Sequence, residues 1–175
     1  ADDNASGTTT NMPICKALSK SGVKHKRSII QLWFSGEEIG LKGSAAYCRN
    51  PVIPHSQCVA MLNCDMLGRN PEKPATLYGV GSSPQFKGIV DRGLAAVPGH
   101  GIDPVMAKGQ YFMRSDQVNF WIAGIPVMFL CCGEHSDYHK PTDHADKIAF
   151  ERMEKFGRAV LAMLIEAANS AERPA

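Results

Sequence analysis

One apolar run, Val59-Ala60-Met61-Leu62-Asn63-Cys64, ends directly at Asp65 and indicates the fold class. Short apolar runs that stop at polar residues are typical of buried strands. In an open α/β sheet, functional side chains collect beyond the carboxyl ends of such strands. The run therefore predicts an α/β fold with Asp65 at the functional edge of its sheet.

Two further runs have the same character: Ser28-Ile29-Ile30-Gln31-Leu32-Trp33-Phe34 and Ile125-Pro126-Val127-Met128-Phe129-Leu130-Cys131. The first leads into Ser35-Gly36-Glu37-Glu38, and the second leads into the loop that carries His139. We predict that both runs are buried strands and that their polar ends lie at the same edge as Asp65.

Two helices are indicated by their terminal residues and their spacing. Ser83-Pro84 is typical of an N-cap and a first helical position, and it precedes spaced apolar residues between Phe86 and Val97. From Phe150 to about Ala168, apolar residues follow i, i+3, i+4 spacing, which predicts a helix with one buried face.

Proline and glycine shape the predictions for two other segments. Pro13 would interrupt a helix unless it lies in the first turn, so we expect a helix that begins near Asn11 or Met12. Residues 97–114 are rich in glycine and proline and predict a long loop that shapes a binding pocket.

The composition is that of a globular protein. The chain has 175 residues, enough for one domain, with 44% hydrophobic and 21% charged residues. Its formal charge is +2, and its basic residues form no stripe, so nucleic acid is an unexpected partner. The apolar runs are too short to cross a bilayer, which needs about 20 residues, so no membrane span is expected.

Six cysteines in a chain of this length do not form a disulfide scaffold. We expect them to pack as small hydrophobic side chains. Cys48 and Cys58 could pair, but their spacing alone does not establish a bond, and the redox compartment stays open.

Four separated clusters carry side chains that bind zinc: Asp2-Asp3, Glu37-Glu38, Asp65 and Asp137-Tyr138-His139. Two zinc ions about 3.5–4 Å apart can share a carboxylate and act on one substrate carbonyl. Each cluster alone has a structural alternative, since Asp2-Asp3-Asn4 could be a turn or a helix cap and Glu37-Glu38 could begin a helix.

Six stretches in chain order resemble the M28 family of metallopeptidases, which includes zinc aminopeptidases with two ions and related exopeptidases. These stretches are Ala1-Asp2-Asp3-Asn4-Ala5-Ser6-Gly7, Phe34-Ser35-Gly36-Glu37-Glu38-Ile39-Gly40-Leu41-Lys42-Gly43-Ser44, Asn63-Cys64-Asp65-Met66-Leu67-Gly68-Arg69, Arg114-Ser115-Asp116, Ala123-Gly124-Ile125-Pro126 and Asp137-Tyr138-His139-Lys140-Pro141-Thr142-Asp143. The resemblance implies a three-layer α/β/α sandwich around a mixed, largely parallel sheet.

The resemblance also implies a role for each matching residue. Asp3 would bridge two zinc ions, Glu38 and His139 would bind one ion, and Asp65 would bind the other. Glu37 would be the general base that takes a proton from the attacking water. The hydroxyl of Tyr138 would stabilise the oxyanion, or its ring would simply pack in the loop.

The remaining histidines are not expected to bind metal. His135 and His139 have i, i+4 spacing, but Gly133 and Pro141 argue against a helix there. We therefore place His135 and His144 on the loop surface, where either could contact substrate. The others lack a motif and are expected to be structural or exposed: His25, His55 and His100. Cys64, next to Asp65 on a strand, is expected to pack in the core.

Two departures from the family pattern concern the metal site. Family members have a histidine in an H-x-D motif upstream of the first cluster, and residues 1–175 begin after that point. We therefore expect a single peptidase domain without its N-terminal portion, with one incomplete ion site and poor stability. The second departure is Gln117, where many members have a histidine that contacts the pocket.

The activity implied is the release of N-terminal amino acids from peptides. Carboxypeptidases and aminoacylase-like enzymes share these ligands, a glutaminyl cyclase-like relative would use one zinc ion, and a non-catalytic domain of the same fold would serve binding or dimerisation. Secretion or a periplasmic location is suggested only by the habits of the family. The oligomeric state and the preferred side chain stay open.

Overall fold

A four-stranded sheet forms the centre of the computed structural model, which describes residues 1–107 and 109–175. The strands are β1 (Met61–Cys64), β2 (Ala75–Tyr78), β3 (Ile102–Pro104) and β4 (Val127–Cys131), in the spatial order β1-β4-β2-β3. β1 is parallel to β4 and β2 is parallel to β3, whereas β2 and β4 are antiparallel. The predicted mixed, largely parallel sheet is therefore confirmed.

Helices surround this sheet in the described part of the chain. They are α1 (Gly7–Ser21), α2 (Lys42–Arg49), α3 (Phe86–Ala95), α4 (Gln117–Ile122) and α5 (Phe150–Asn169). Short helical turns occur at Asp2–Ser6, His55–Gln57, Val80–Ser82 and Ala145–Lys147. None of the helices that the structure describes is long and apolar enough to cross a membrane.

The side chains of β4 alternate between two layers of helices. Met128 and Leu130 pack in the main core with residues of α1, α3 and α5, whereas Val127 packs in a second cluster with Phe120 of α4 and Tyr47 of α2. All five residues of β4 are buried, as expected for a strand that is covered on both faces. The predicted three-layer α/β/α arrangement is thus confirmed.

The prediction of a buried strand at residues 28–34 is wrong. No described strand pairs with this segment, and Ile30 and Trp33 are 46% and 49% exposed. A cavity of about 680 Å³ is lined by this segment on one side and by residues 58–64, which include β1, on the other. The apolar composition that favours a strand cannot produce one without a neighbouring strand to bond.

The helix predictions were accurate in the second half of the chain and less so at its start. α5 matches its prediction. A helix is present where α3 was predicted, but its N-cap is Gln85 and its first residue Phe86, so the predicted N-cap Ser83 and first position Pro84 are wrong by two residues. The prediction of a helix start near Asn11 is wrong, because α1 begins at Gly7 and contains Pro13. Pro13 and Thr9 are both exposed, so water can satisfy the Thr9 carbonyl that proline leaves without a helical donor.

The predicted loop at residues 97–114 is interrupted by β3, a three-residue edge strand. Lys108 of this loop lies outside the described residues. The six cysteines, all of which the structure describes, are free thiols. Cys15 is exposed, so the expectation that the cysteines pack as small hydrophobic side chains is wrong for this residue. Cys48 and Cys58 pack beside the same apolar cluster without forming a bond, and Cys64 lies in the main core as predicted.

Candidate metal centre

The predicted site residues meet at the carboxyl ends of β1 and β4. Asp65 directly follows β1, and His139 lies in the loop that follows β4. These two strands are parallel neighbours, and the Asp65 amide donates to the Leu130 carbonyl at 3.1 Å. The structure thus brings both residues to one edge of the sheet, which is the usual place for a site in an α/β fold.

Asp3, Glu38 and His139 form a compact group of potential metal ligands. One ligand atom from each residue lies within 4.8 Å of the other two. His139 Nε2 is 3.2 Å from Asp3 Oδ2 and 3.1 Å from Glu38 Oε2. Donor atoms in a tetrahedral zinc site, each about 2.0–2.1 Å from the ion, are separated by about 3.3 Å, so the spacing fits a shared ion.

Asp65 lies outside this group of three among the described residues, but it is close enough to influence it. Its Oδ2 accepts a hydrogen bond from Ser115 Oγ at 2.6 Å, and its buried Oδ1 has no hydrogen-bond partner among the described residues. The charge of Asp65 contributes to the raised pKa of Asp3. A buried carboxylate oxygen without a partner is costly unless a cation or a proton satisfies it.

The turn at the start of the chain explains why Asp3 is followed by Asn-Ala-Ser-Gly. Asn4 Nδ2 donates to the Cys64 carbonyl at 3.2 Å, and Asn4 Oδ1 accepts the Met66 amide at 3.2 Å. Ser6 Oγ accepts the Leu67 amide at 2.8 Å. These bonds tie the turn to the end of β1 and hold Asp3 beside the Asp65 segment.

Gly7 is required by the same close approach. A Cβ atom at this position would lie 2.3 Å from the carbonyl oxygen of Cys64, which is far inside van der Waals contact. Asn4 Oδ1 accepts the Gly7 amide at 3.0 Å. Gly7 therefore allows the two backbones to pack closely, whereas Asp3 can bind a metal ion.

Glu37 and Glu38 lie in a tight turn before α2 and not in a helix. The Glu37 carbonyl accepts the amides of Gly40 at 3.0 Å and of Leu41 at 2.8 Å. Gly36 has φ +71°, a conformation that favours glycine. As a result, the Glu38 carboxylate lies beside Asp3 and His139 in the ligand group. Glu37 lies close enough to Asp65 and Glu38 for their charges to affect its pKa.

Burial and crowding of carboxylates change the acidity of this site. The pKa of Asp3 is raised to about 7, chiefly by burial and next by the charges of Asp65 and Glu38. The pKa of Glu37 is also raised to about 7, for the same reasons in the same order. Burial raises the pKa of Asp65 to about 6, although the bond from Ser115 opposes this. The carboxylates destabilise one another when no cation is present.

Asp116, at the start of α4, contributes to this crowding. Ser44 Oγ donates to Asp116 Oδ1, and Asn119 Nδ2 donates to Ser44 Oγ at 2.8 Å. Its charge contributes to the raised pKa of Glu37. Sequence reasoning included Asp116 and Ser115 in a family motif but assigned them no function.

Tyr138 stacks on His139, with ring centroids 3.8 Å apart. Its ring packs beside the cluster of Met66, Phe129 and Cys131. Burial, then the charge of Asp3, raises the pKa of Tyr138 to about 12, so the hydroxyl keeps its proton at neutral pH. A protonated hydroxyl beside the ligand group can donate a hydrogen bond.

The prediction that His135 lies on the loop surface is wrong, whereas His144 is exposed as predicted. The His135 side chain is 4% exposed, and its Nε2 lies 3.4 Å from Oδ2 of the fully buried Asp2. Its Nδ1 accepts the Asp137 amide at 3.3 Å, so the ring proton of neutral His135 belongs on Nε2, facing Asp2. Asp2 Oδ1 accepts the Gly68 amide at 2.6 Å, which makes Asp2 a structural neighbour of the site.

The remaining predicted positions lie away from the ligand group. His25 Nδ1 contacts the Asn169 side chain at 3.1 Å, His100 Nδ1 accepts the Ile102 amide at 2.9 Å, and His55 lies in a short helical turn. Gln117 is fully buried and bonds Asn63 and the Phe112 carbonyl. Its amide is therefore bonded to other residues inside the protein.

Comparisons with known proteins agree with this geometry. The profile of peptidase family M28 matches residues 1–164. The chain belongs to peptidase family M28. The match covers most of this M28 chain, including every residue of the ligand group.

Two relatives and one solved structure illustrate the similarity. Aminopeptidase YwaD of Bacillus subtilis is 28% identical over 184 residues, which cover 99% of this chain and 39% of the relative. Leupeptin-inactivating enzyme 1 of Streptomyces exfoliatus is 31% identical over 147 residues, which cover 83% of this chain and 32% of the relative. A zinc aminopeptidase from Bacillus subtilis has the same fold, with a TM-score of 0.81 at 24% identity over 98% of this chain and 43% of that one. The M28 chain thus spans less than half the length of these proteins.

The residues of this M28 chain fit a divalent cation on structural grounds. Two carboxylates and an imidazole have the spacing of a shared ion, and Asp65 offers a buried oxygen that lacks a partner. Nearby carboxylates raise one another's pKa, and a cation would reverse this effect. Carboxylate and imidazole together are typical zinc ligands.

Proposed function

We propose that this chain forms the metal-binding part of a zinc-dependent exopeptidase that releases N-terminal amino acids. The observation that carries the proposal is the convergence of Asp3, Glu38 and His139 within 4.8 Å, with Glu37 beside them. The names of the relatives, aminopeptidases among them, favour an N-terminal over a C-terminal specificity.

The residues of the group divide into two sets of ligands. Glu38 and His139 would hold one zinc ion, Asp65 would hold a second, and Asp3 would bridge them. When bound, zinc polarises the scissile carbonyl and makes a water molecule more acidic. In this chain the first ion would have three protein ligands and the second would have two, so the second ion depends on a further ligand.

Glu37 would act as the general base because it is close to the ligand group without being part of it. Its carboxylate would take a proton from the attacking water and then pass that proton to the leaving amine nitrogen. Tyr138 would donate a hydrogen bond from its hydroxyl to the developing oxyanion and keep its proton. The main-chain bonds of the Glu37 carbonyl hold the turn while the side chain moves a proton.

Hydrolysis of aminoacyl anilides by the native protein tests the proposal. We expect turnover with free amino termini, loss of turnover with a chelator, and recovery when zinc is added. Equal rates with N-blocked peptides would contradict the aminopeptidase specificity but not peptide hydrolysis. Zinc binding without hydrolysis of any peptide would instead indicate a binding or dimerisation domain.

The number of ions is a separate part of the proposal. We expect two zinc ions per molecule of native protein, measured by elemental analysis after dialysis. A single tightly bound ion would favour the glutaminyl cyclase-like alternative, for which cyclisation of an N-terminal glutamine is the direct assay. Secretion or a periplasmic location stays a proposal from family resemblance, and fractionation of the source cells tests it.

A further inference from the structure

Arg69 is a mostly buried cation that joins two carboxylates next to the ligand group. Its side chain is 13% exposed, and Nη2 lies 2.7 Å from Asp137 Oδ2. Its Nη1 lies 3.2 Å from Asp143 Oδ1, and the Asp143 side chain is 7% exposed. Arg69 is only four residues beyond Asp65, so these ion pairs link the segment after β1 to the loop after β4.

The second oxygen of Asp143 holds the backbone that carries Asp3. Asp143 Oδ2 accepts the Asp2 amide at 2.7 Å and the Asp3 amide at 3.3 Å. The backbone nitrogen of Ala1 also contacts this oxygen, at 2.6 Å. The Asp143 carboxylate therefore connects Arg69 to the segment that bears the proposed bridging ligand.

The second oxygen of Asp137 holds the loop that carries His139. Asp137 Oδ1 accepts Thr142 Oγ1 at 2.7 Å and Lys147 Nζ at 2.9 Å. Hydrogen bonds from Arg69, then from Lys147 and Thr142, hold the pKa of Asp137 well below its ordinary range. His139, two residues away, has φ +57°, an uncommon conformation that needs support from such contacts.

We infer that Arg69 is a positioning residue for the metal centre, which holds the segments of Asp3, Asp65 and His139 in register through Asp143 and Asp137. This inference rests on the proposed function, since it assumes that these residues bind zinc. Arg69 itself lies in the segment that follows Asp65. Its guanidinium contacts Asp143, which bonds the Asp3 segment, and Asp137, which lies in the loop of His139. Partners beyond the ligands commonly affect metal affinity by about 10–100-fold.

The geometry requires a guanidinium rather than a positive charge alone. Two separate nitrogens of Arg69 contact two separate carboxylates, which a planar guanidinium does with its fixed fork of donors. A lysine carries its three donors on a single nitrogen, so it cannot place separate nitrogens on the two carboxylates. Lys147 is the matched control, because it contacts Asp137 as well but is 38% exposed, and its other bond goes to the Thr142 carbonyl.

The test measures zinc affinity of the chain by competition with a chromophoric chelator. We expect Arg69→Met to weaken zinc binding by about 10–100-fold, and Arg69→Lys to weaken it nearly as much. Lys147→Met should change the affinity by roughly fivefold or less, as expected for a more exposed ion pair. The absorption spectrum of the cobalt-substituted chain should change in both Arg69 variants and stay the same in Lys147→Met.

These measurements separate positioning from general stabilisation. Arg69 variants that melt earlier but bind zinc with unchanged affinity and an unchanged cobalt spectrum would overturn the inference. If Arg69→Met does not fold, Arg69→Lys decides the question by the same two measurements. Failure of the unsubstituted chain to bind zinc would overturn the proposed metal site and with it the role of Arg69.

Discussion

At the scale of single residues, neighbouring side chains in the sequence have very different functions. Asp2 is fully buried and bonds the Gly68 amide, whereas Asp3 points its Oδ2 at His139. Glu38 belongs to the ligand group, and Glu37 stands beside it with a raised pKa. In the proposed function, one residue of each pair builds the site while its neighbour provides the chemistry.

We predict that Glu37→Gln lowers kcat by roughly 10²–10⁴-fold, the usual contribution of a general base. The amide keeps the size of the carboxylate but cannot accept the proton of the attacking water. Zinc affinity, measured by chelator competition, should stay close to that of the native protein, because Glu37 lies outside the ligand group. Turnover at the native rate would remove Glu37 from the mechanism.

We predict that the metal-free chain loses stability as pH rises from about 4 to about 7. Asp3 and Glu37 have pKa values raised to about 7, and Asp65 to about 6, chiefly by burial. In the unfolded chain these groups titrate near 4. The folded state therefore binds more protons than the unfolded state across this range. The stabilisation that comes from these bound protons is complete below pH about 4, and it is lost as the pH rises through the pKa values of the folded state.

Urea denaturation with a chelator present, repeated across this pH range, measures the effect. Glu37→Gln should reduce the slope because one of the three groups no longer titrates. Zinc should raise the urea midpoint more at pH 7.5 than at pH 5.5, because zinc binding needs deprotonated ligands. These two pH values lie on either side of the raised pKa values of about 6–7. A metal-free stability that rises with pH across the range would contradict the prediction.

At the scale of elements, short turns matter as much as the strands they follow. Asn4 and Ser6 join the first turn to the end of β1, and Gly7 lets the two backbones approach closely. β1 and β4 were predictable because each is a continuous apolar run. β2 and β3 were missed because strands of four and three residues are too short to show a period in the sequence.

We predict that Gly7→Ala destabilises the chain by about 1–3 kcal/mol, as overpacking does, and weakens zinc binding. The added Cβ would meet the Cys64 carbonyl at 2.3 Å and push the Asp3 turn away from Asp65. Gly157→Ala in α5 is the matched control. Its Cβ would meet Thr10 Cγ2 at an ordinary 3.5 Å, and alanine is the better helix former by about 1 kcal/mol.

Urea denaturation and zinc competition measure both variants. The control should be as stable as the unsubstituted chain or more so, with unchanged zinc affinity. If Gly7→Ala matched Gly157→Ala in both measurements, the close approach of the turn and β1 would not be needed for the site.

At the scale of the whole molecule, the edge of the sheet formed by β1 borders an apolar cavity. β1 lies at the end of the strand order, and the cavity beside it is lined by Ile29, Ile30, Leu32 and other apolar residues. An edge strand next to an apolar surface favours association with other chains. This arrangement supports the expectation of poor stability for the isolated chain.

We predict a broad unfolding transition at low temperature and strong binding of a hydrophobic dye by the isolated chain. Ile30→Gln should reduce dye binding, because Ile30 lines the cavity and is 46% exposed. Ile122→Gln is the control, since Ile122 is 73% exposed but does not line the cavity. A sharp, cooperative melt at ordinary temperatures, with little dye binding, would contradict the prediction.

The sequence by itself determined the family, the α/β class and the identity of the candidate ligands, because these depend on local runs and on motifs in chain order. Tertiary structure alone decided that His135 is buried against Asp2, that residues 28–34 form no strand, and that Arg69 joins Asp137 to Asp143. Each of these features depends on contacts between segments far apart in the chain. Burial, pairing and charge compensation are properties of those contacts, and no local pattern encodes them.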